Sequence, residues 1–94
     1  MGLPLAALGR RPYTEGVMQR AIQLIWDFRG HAAQGTAEHH ARHLAEFAQR
    51  EQLSMQKTGA EALTPLHWIA WMIVEEKDVP TLRAALNPSR GLEA

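Results

Sequence analysis

The segment Val17-Met18-Gln19-Arg20-Ala21-Ile22-Gln23-Leu24-Ile25-Trp26-Asp27-Phe28-Arg29 fits two secondary structures, and the choice between them decides the fold. Wound as a helix, it gathers Val17, Ala21, Leu24, Ile25 and Phe28 on one stripe. Extended as a strand, it alternates Ile22, Leu24, Trp26 and Phe28 against Gln23, Ile25, Asp27 and Arg29. The far end of the chain arbitrates. Trp68-Ile69-Ala70-Trp71-Met72-Ile73-Val74 is a continuous apolar run, bounded by Thr64-Pro65 and by Glu75-Glu76-Lys77-Asp78. It is short for a buried helix, right for a buried strand, and rich in aromatic and β-branched residues. A lone strand leaves its backbone donors and acceptors unpaired, so a partner is required, and Arg20 to Phe28 is the best available. Arg20 to Phe28 is therefore expected to be a strand.

Between these strands the sequence predicts a helix from Ala37 to Glu51, with Thr36 as N-cap after Gly35. Ala37, Ala41, Leu44 and Ala48 share its inner face, His40 and Phe47 flank them, and His39, His43, Glu46 and Arg50 lie opposite. A weaker strand is expected over Leu53 to Thr58, ended by Gly59. Asp78 would cap a last short helix whose first turn holds Val79 and Pro80, and Asn87-Pro88 would stop it. Gly91 to Ala94 is expected to fray.

Strand, helix, weak strand, strong strand, helix makes an α+β domain: about three antiparallel strands with two helices on one face, a βαββα order. That order resembles a ferredoxin-like fold lacking its last strand, a resemblance of topology alone. The rival is an all-α bundle in which residues 17–29 and 66–77 are both helical. No motif ties the chain to a sequence family.

The composition narrows the function classes. Ninety-four residues carry ten Lys plus Arg against ten Asp plus Glu, five His and no Cys. A chain of this length buries roughly 60–70% of its unfolded surface, enough for one core. Zero net charge argues against nucleic acid as a partner, because phosphate contacts need a basic surplus on one face. The lack of Cys excludes disulfides, thiolate metal sites and thiol catalysis. No stretch has the roughly 18 apolar residues of a membrane helix, and Leu3 to Leu8 is too short and Pro-broken for a signal segment. Cytoplasm is the default location. Residues 1–16, interrupted by Gly2, Pro4, Gly9, Pro12 and Gly16, read as a flexible N-terminal arm, with residues 17–94 as the domain.

The strong strand is apolar on both faces, whereas two helices cover only one face of a small sheet. Ile25, Ile69, Trp71 and Ile73 would then form an exposed patch larger than monomers tolerate. A second copy covering it by two-fold symmetry makes a homodimer; the alternative is that the arm folds across it.

Three groups of side chains could carry chemistry. His39 and His43, spaced i, i+4, point the same way and could share a metal with Glu46 as a third ligand. Read without a metal, the same residues are a solvated helix face. His40, at the edge of the apolar stripe beside Phe47, would have its pKa lowered by partial burial. Asp27 falls on the sheet face opposite the helices, where a carboxylate must be paired, with Arg29 or His67, or must line a cavity. In such a cavity Gln23, Asp27 and His67 would orient a ligand against Trp71. Thr14, Ser54, Thr64 and Ser89 form no nucleophile elbow, the Gly30 to Gly35 spacing lacks a phosphate-binding Lys-Ser/Thr ending, and no cofactor motif is found. The functions in play are a homodimeric association or small-ligand module, a small cofactor-independent enzyme working near Asp27 and His67, and a His-rich metal-binding helix.

Overall fold

The computed structural model describes residues 20–54 and 57–94, so the expected arm over residues 1–16 lies outside the described residues. The elements run β1 (Ala21–Arg29), α1 (Ala33–Arg50), β2 (Lys57–Thr64), β3 (His67–Glu75), a 3-10 turn (Glu76–Asp78), α2 (Val79–Leu86) and β4 (Arg90–Glu93). The four strands form one antiparallel sheet in the order β2-β3-β1-β4. This is an α+β fold, and the all-α rival is excluded because both disputed segments are strands.

The two central strands pair along their whole length, from Ala21 with Glu75 to Arg29 with His67. That register puts Ile22, Leu24, Trp26 and Phe28 on the same face as Trp68, Ala70, Met72 and Val74. Leu44 and Ala48 of α1 and Leu82 of α2 close over that face in a single core. Leu24, Leu44, Met72, Val74 and Leu82 are fully buried, each contributing on the order of 2 kcal/mol from removal of apolar surface. The indole Nε1 of Trp26 also donates to the Leu86 carbonyl at 2.8 Å, fixing the C-terminal end of α2 to the sheet. Asn87 then leaves the helix in the left-handed conformation, φ 50° and ψ 63°, as its sequence position suggested. Asp78 stands at the N-cap as expected, but the preceding 3-10 turn leads into the helix and Asp78 makes no side-chain capping bond.

Four expectations need correction. The tail does not fray: Arg90 to Glu93 pairs with Ile22 to Ile25 as a fourth strand, so the element order is βαββαβ. The backbone on the free edge of β1 needs a partner, and the turn at Asn87 to Ser89 delivers the tail to it; the Ser89 N–H donates to the Ile25 carbonyl at 2.8 Å. Helix α1 begins at Ala33, not after Thr36, because Ala33 is itself a buried contact and Gly35 faces open space. Strand β2 starts at Lys57 and runs through Gly59 to Thr64 instead of stopping at Gly59. Gly59 is there because the Trp71 ring lies over it: a Cβ at residue 59 would stand 2.5 Å from Trp71 Cζ2.

The fourth correction concerns the face away from the helices. Ile25 and Ile69 are only 3% and 4% exposed, not open to solvent. They sit on the central strands, with Trp71 and Arg90 directly opposite Ile25, and Asp27 and Glu61 opposite Ile69. The apolar surface left on this face is narrower: Trp71 and Ile73, both half-buried, and Leu92, which is 49% exposed.

Candidate functional site

Three strands bring Asp27, His67 and Arg90 together on the face opposite the helices. Asp27 is on β1, His67 opens β3 two residue pairs along, and Arg90 opens β4 beside Ile25. The Asp27 carboxylate accepts from His67 Nε2 at Oδ1, 2.7 Å away. It also accepts a two-pronged contact from Arg90, Nε to Oδ2 and Nη2 to Oδ1, both 3.2 Å. The Asp27 backbone N–H donates to Ser89 Oγ at 3.1 Å, tying the turn before β4 to the same point. The Asp27 and His67 side chains retain 14% and 19% of their exposure, Arg90 43%.

A carboxylate in this position is held ionised. The Arg90 hydrogen bonds push the Asp27 pKa down, burial opposes them, and the His67 hydrogen bond adds to the lowering. With both oxygens engaged, Asp27 cannot itself act as a free base. It fixes the His67 ring with the proton on Nε2, and leaves Nδ1 as the nitrogen available for acid–base exchange or a ligand hydrogen bond.

Of the four residues expected to line a cavity, Asp27 and His67 touch and the other two do not join them. Gln23 lies across from Ile73 and Leu92, and Trp71 lies across from Ile25 with its ring over Gly59. A groove of about 360 Å³ lies on the other side of the sheet, and none of Gln23, Asp27, His67 and Trp71 lines it. Arg29, the other expected partner of Asp27, is exposed and takes no part. Arg90 and Ser89 were missed by sequence reasoning because they stand at the start of a tail that carries no strand pattern. The only available signal was a carboxylate on an inner strand face with too few cations in reach.

The histidines of α1 divide as expected. His39 and His43 have ring centroids 4.4 Å apart, and Arg42 Nη2 lies 3.5 Å from His39 Nδ1. Glu46 does not complete a metal set: among the described residues no three His, Asp or Glu side chains are grouped so as to hold an ion. His40 turns inward and packs against Trp26 at 5.1 Å and the edge of Phe28 at 5.7 Å. Its Nε2 is buried without a hydrogen-bond partner. Burial lowers the His40 pKa, with smaller contributions from His43 and His39.

At the opposite end of the same sheet face, Glu75 accepts from Ser54 Oγ at 2.7 Å and faces Lys77 Nζ at 3.4 Å. The Ser54 hydrogen bond is the main cause of its lowered pKa, and the pair anchors the segment after α1 to the end of β3. Among the described residues, no helix is long and apolar enough to cross a membrane. Compared with protein-family models, curated proteins and solved structures, the chain finds no match.

Proposed function

We propose that this chain is a homodimeric module of ferredoxin-like arrangement whose role is association or small-ligand binding. The observation that supports this reading is the one-sided core. Both helices pack on the face of Leu24, Trp26, Ala70 and Met72, while Trp71, Ile73 and Leu92 on the other face are left partly in water. An apolar strip of this kind, bordered on the same face by the charged Asp27, His67 and Arg90, is most simply covered by the same strip of a second copy, because a two-fold axis makes each contact twice. Ile25 and Ile69 form the closed centre of that face, and Trp71 and Ile73 supply its contact area. Native mass spectrometry of the full chain tests this: a dimer mass is expected, and a monomer at micromolar concentration overturns it.

A second reading draws on the 2.7 Å contact between His67 and Asp27. A histidine oriented by an ionised carboxylate, itself clamped by an arginine, is suited to acid–base work in a cofactor-independent enzyme. Its test is an activity that is lost in both Asp27→Asn and His67→Gln while the fold persists. The His39 and His43 pair supports a metal role less well, since two exposed imidazoles fall short of the three or four ligands that stable zinc sites use. Zinc affinity unchanged by a His39→Ala, His43→Ala double substitution would remove that reading altogether.

A further inference from the structure

On the helix side of the sheet, a groove of about 360 Å³ is lined by residues of both α2 and β4. Its apolar floor and wall are Ile22 and Leu24 of β1 and Val79 of α2, and Gly91 of β4 completes the floor. A Cβ at residue 91 would stand 3.3 Å from Leu24 Cδ2 and 3.7 Å from Ile22 Cγ2, so it is the missing side chain that keeps this floor open. Strand positions ordinarily favour bulky β-branched residues. The volume falls within the usual range of small-molecule sites.

The two ends of the groove carry opposite charges. Glu76 follows the end of β3, where its N–H donates to the Arg20 carbonyl, and so stands at the Ile22 end. Arg83 lies about two turns further on and lines the same groove, toward the end of α2 where Leu86 meets Trp26. Three residues of 3-10 turn and four of α-helix separate the two by roughly 12 Å along the axis. Among the described residues neither side chain has an ion-pair or hydrogen-bond partner, whereas Glu93, also on the rim, is taken by Arg20 at 2.6 Å.

We propose that this groove binds a short zwitterionic peptide of apolar residues. Its ammonium end would meet Glu76, its carboxylate would meet Arg83, and its side chains would lie on Ile22, Leu24 and Val79. An extended chain spans about 3.4 Å per residue, so a peptide of about three to four residues matches the spacing of the two charges. The proposal does not depend on the association reading, since the groove and the apolar sheet face are on opposite sides of the sheet.

The test is a titration of the full-length protein with the free tripeptide Ala-Leu-Ala, followed by two-dimensional amide NMR, beside the same peptide acetylated and amidated at its ends. Saturable shifts are expected at Val79, Arg83 and Gly91, with the blocked peptide binding about tenfold more weakly, because two partly exposed ion pairs are lost. Arg83→Gln and Glu76→Gln should each weaken binding several-fold, and Gly91→Val, which fills the floor with a residue strands favour, should abolish it. Absence of saturable shifts overturns the proposal. So does equal binding of the blocked peptide, or undiminished binding by folded Gly91→Val. Should Gly91→Val fail to fold, the blocked peptide and Arg83→Gln, an exposed helix position, decide the matter.

Discussion

The indole of Trp71 lies directly over the backbone of Gly59, so close that a Cβ at residue 59 would fall 2.5 Å from Cζ2 and 2.8 Å from Cε2. Strand β2 thus gives up a side chain to seat an aromatic ring from β3, and the ring forms part of the sheet face that no helix covers. Gly59→Ala should push Trp71 off β2 and destabilise the protein by about 1–3 kcal/mol, as overpacking does elsewhere. Thermal unfolding would register this as a Tm lower by several degrees, together with a shift in tryptophan emission; an unchanged Tm would mean that the ring moves aside at no cost.

Asp27 ties three strands together, and its removal should loosen β4 first. Asp27→Asn keeps the shape but loses the charge that Arg90 and His67 share, at a cost of about 1–2 kcal/mol. Hydrogen exchange should speed up in Arg90 to Glu93 more than in β3. The pH dependence has a definite sign. The Asp27 pKa is lowered in the folded state, so its contribution is fully present above the unfolded value of about 3.9 and is lost as pH falls through the folded pKa. Asp27→Asn should therefore flatten the acid limb of the stability curve, and an unaltered acid limb would contradict the assignment.

His40 acts in a different pH window. Its pKa is lowered by burial against Trp26 and Phe28, so the unfolded chain takes up a proton more readily than the folded one. Stability should fall as pH drops from about 6.5 through the folded pKa. His40→Leu removes both the titration and the buried Nε2 that has no partner, and should raise stability by about 1 kcal/mol near neutral pH. Urea unfolding at pH 7 and again near pH 5 compares the two proteins; a variant that is less stable at both would argue against this account.

The bond from Trp26 to Leu86 should be worth about as much as an ordinary buried hydrogen bond. Trp26→Phe leaves the Leu86 carbonyl without its donor and opens a small void, costing about 2 kcal/mol together. Because α2 has one fully buried side chain, Leu82, with Val79 and Leu86 packed only in part, loss of this bond should let circular dichroism show helix loss ahead of global unfolding. Fully coincident transitions would mean that α2 does not come away separately.

How much could be read in advance depended on which residues carried their own signal. The alternation from Ile22 to Phe28 and the unbroken apolar run to Val74 mark the two central strands because burial imposes a period on them. The spacing of Ala37, Leu44 and Ala48 marks α1 for the same reason. Strand β4 carries no such mark. All four of its residues are exposed, and it is extended only because β1 offers it an edge, a tertiary cause that Arg90-Gly91-Leu92-Glu93 does not encode locally. The start of α1 was hidden by Gly35, which normally weakens a helix, yet burial of Ala33 carries the helix past it. The candidate site followed the same division. Asp27 and His67 could be paired from strand faces alone, whereas Arg90 became visible only with the strand that carries it.

Association of two copies through the helix-free sheet face can be followed by sedimentation velocity of the protein beside Ile73→Glu. Ile73 is half-buried on that face and outside the helix-side core, so the variant should keep its circular dichroism spectrum. A dimer is expected for the unaltered chain and a monomer for Ile73→Glu at the same micromolar concentration. A monomeric unaltered chain, or a variant that remains dimeric, would contradict it.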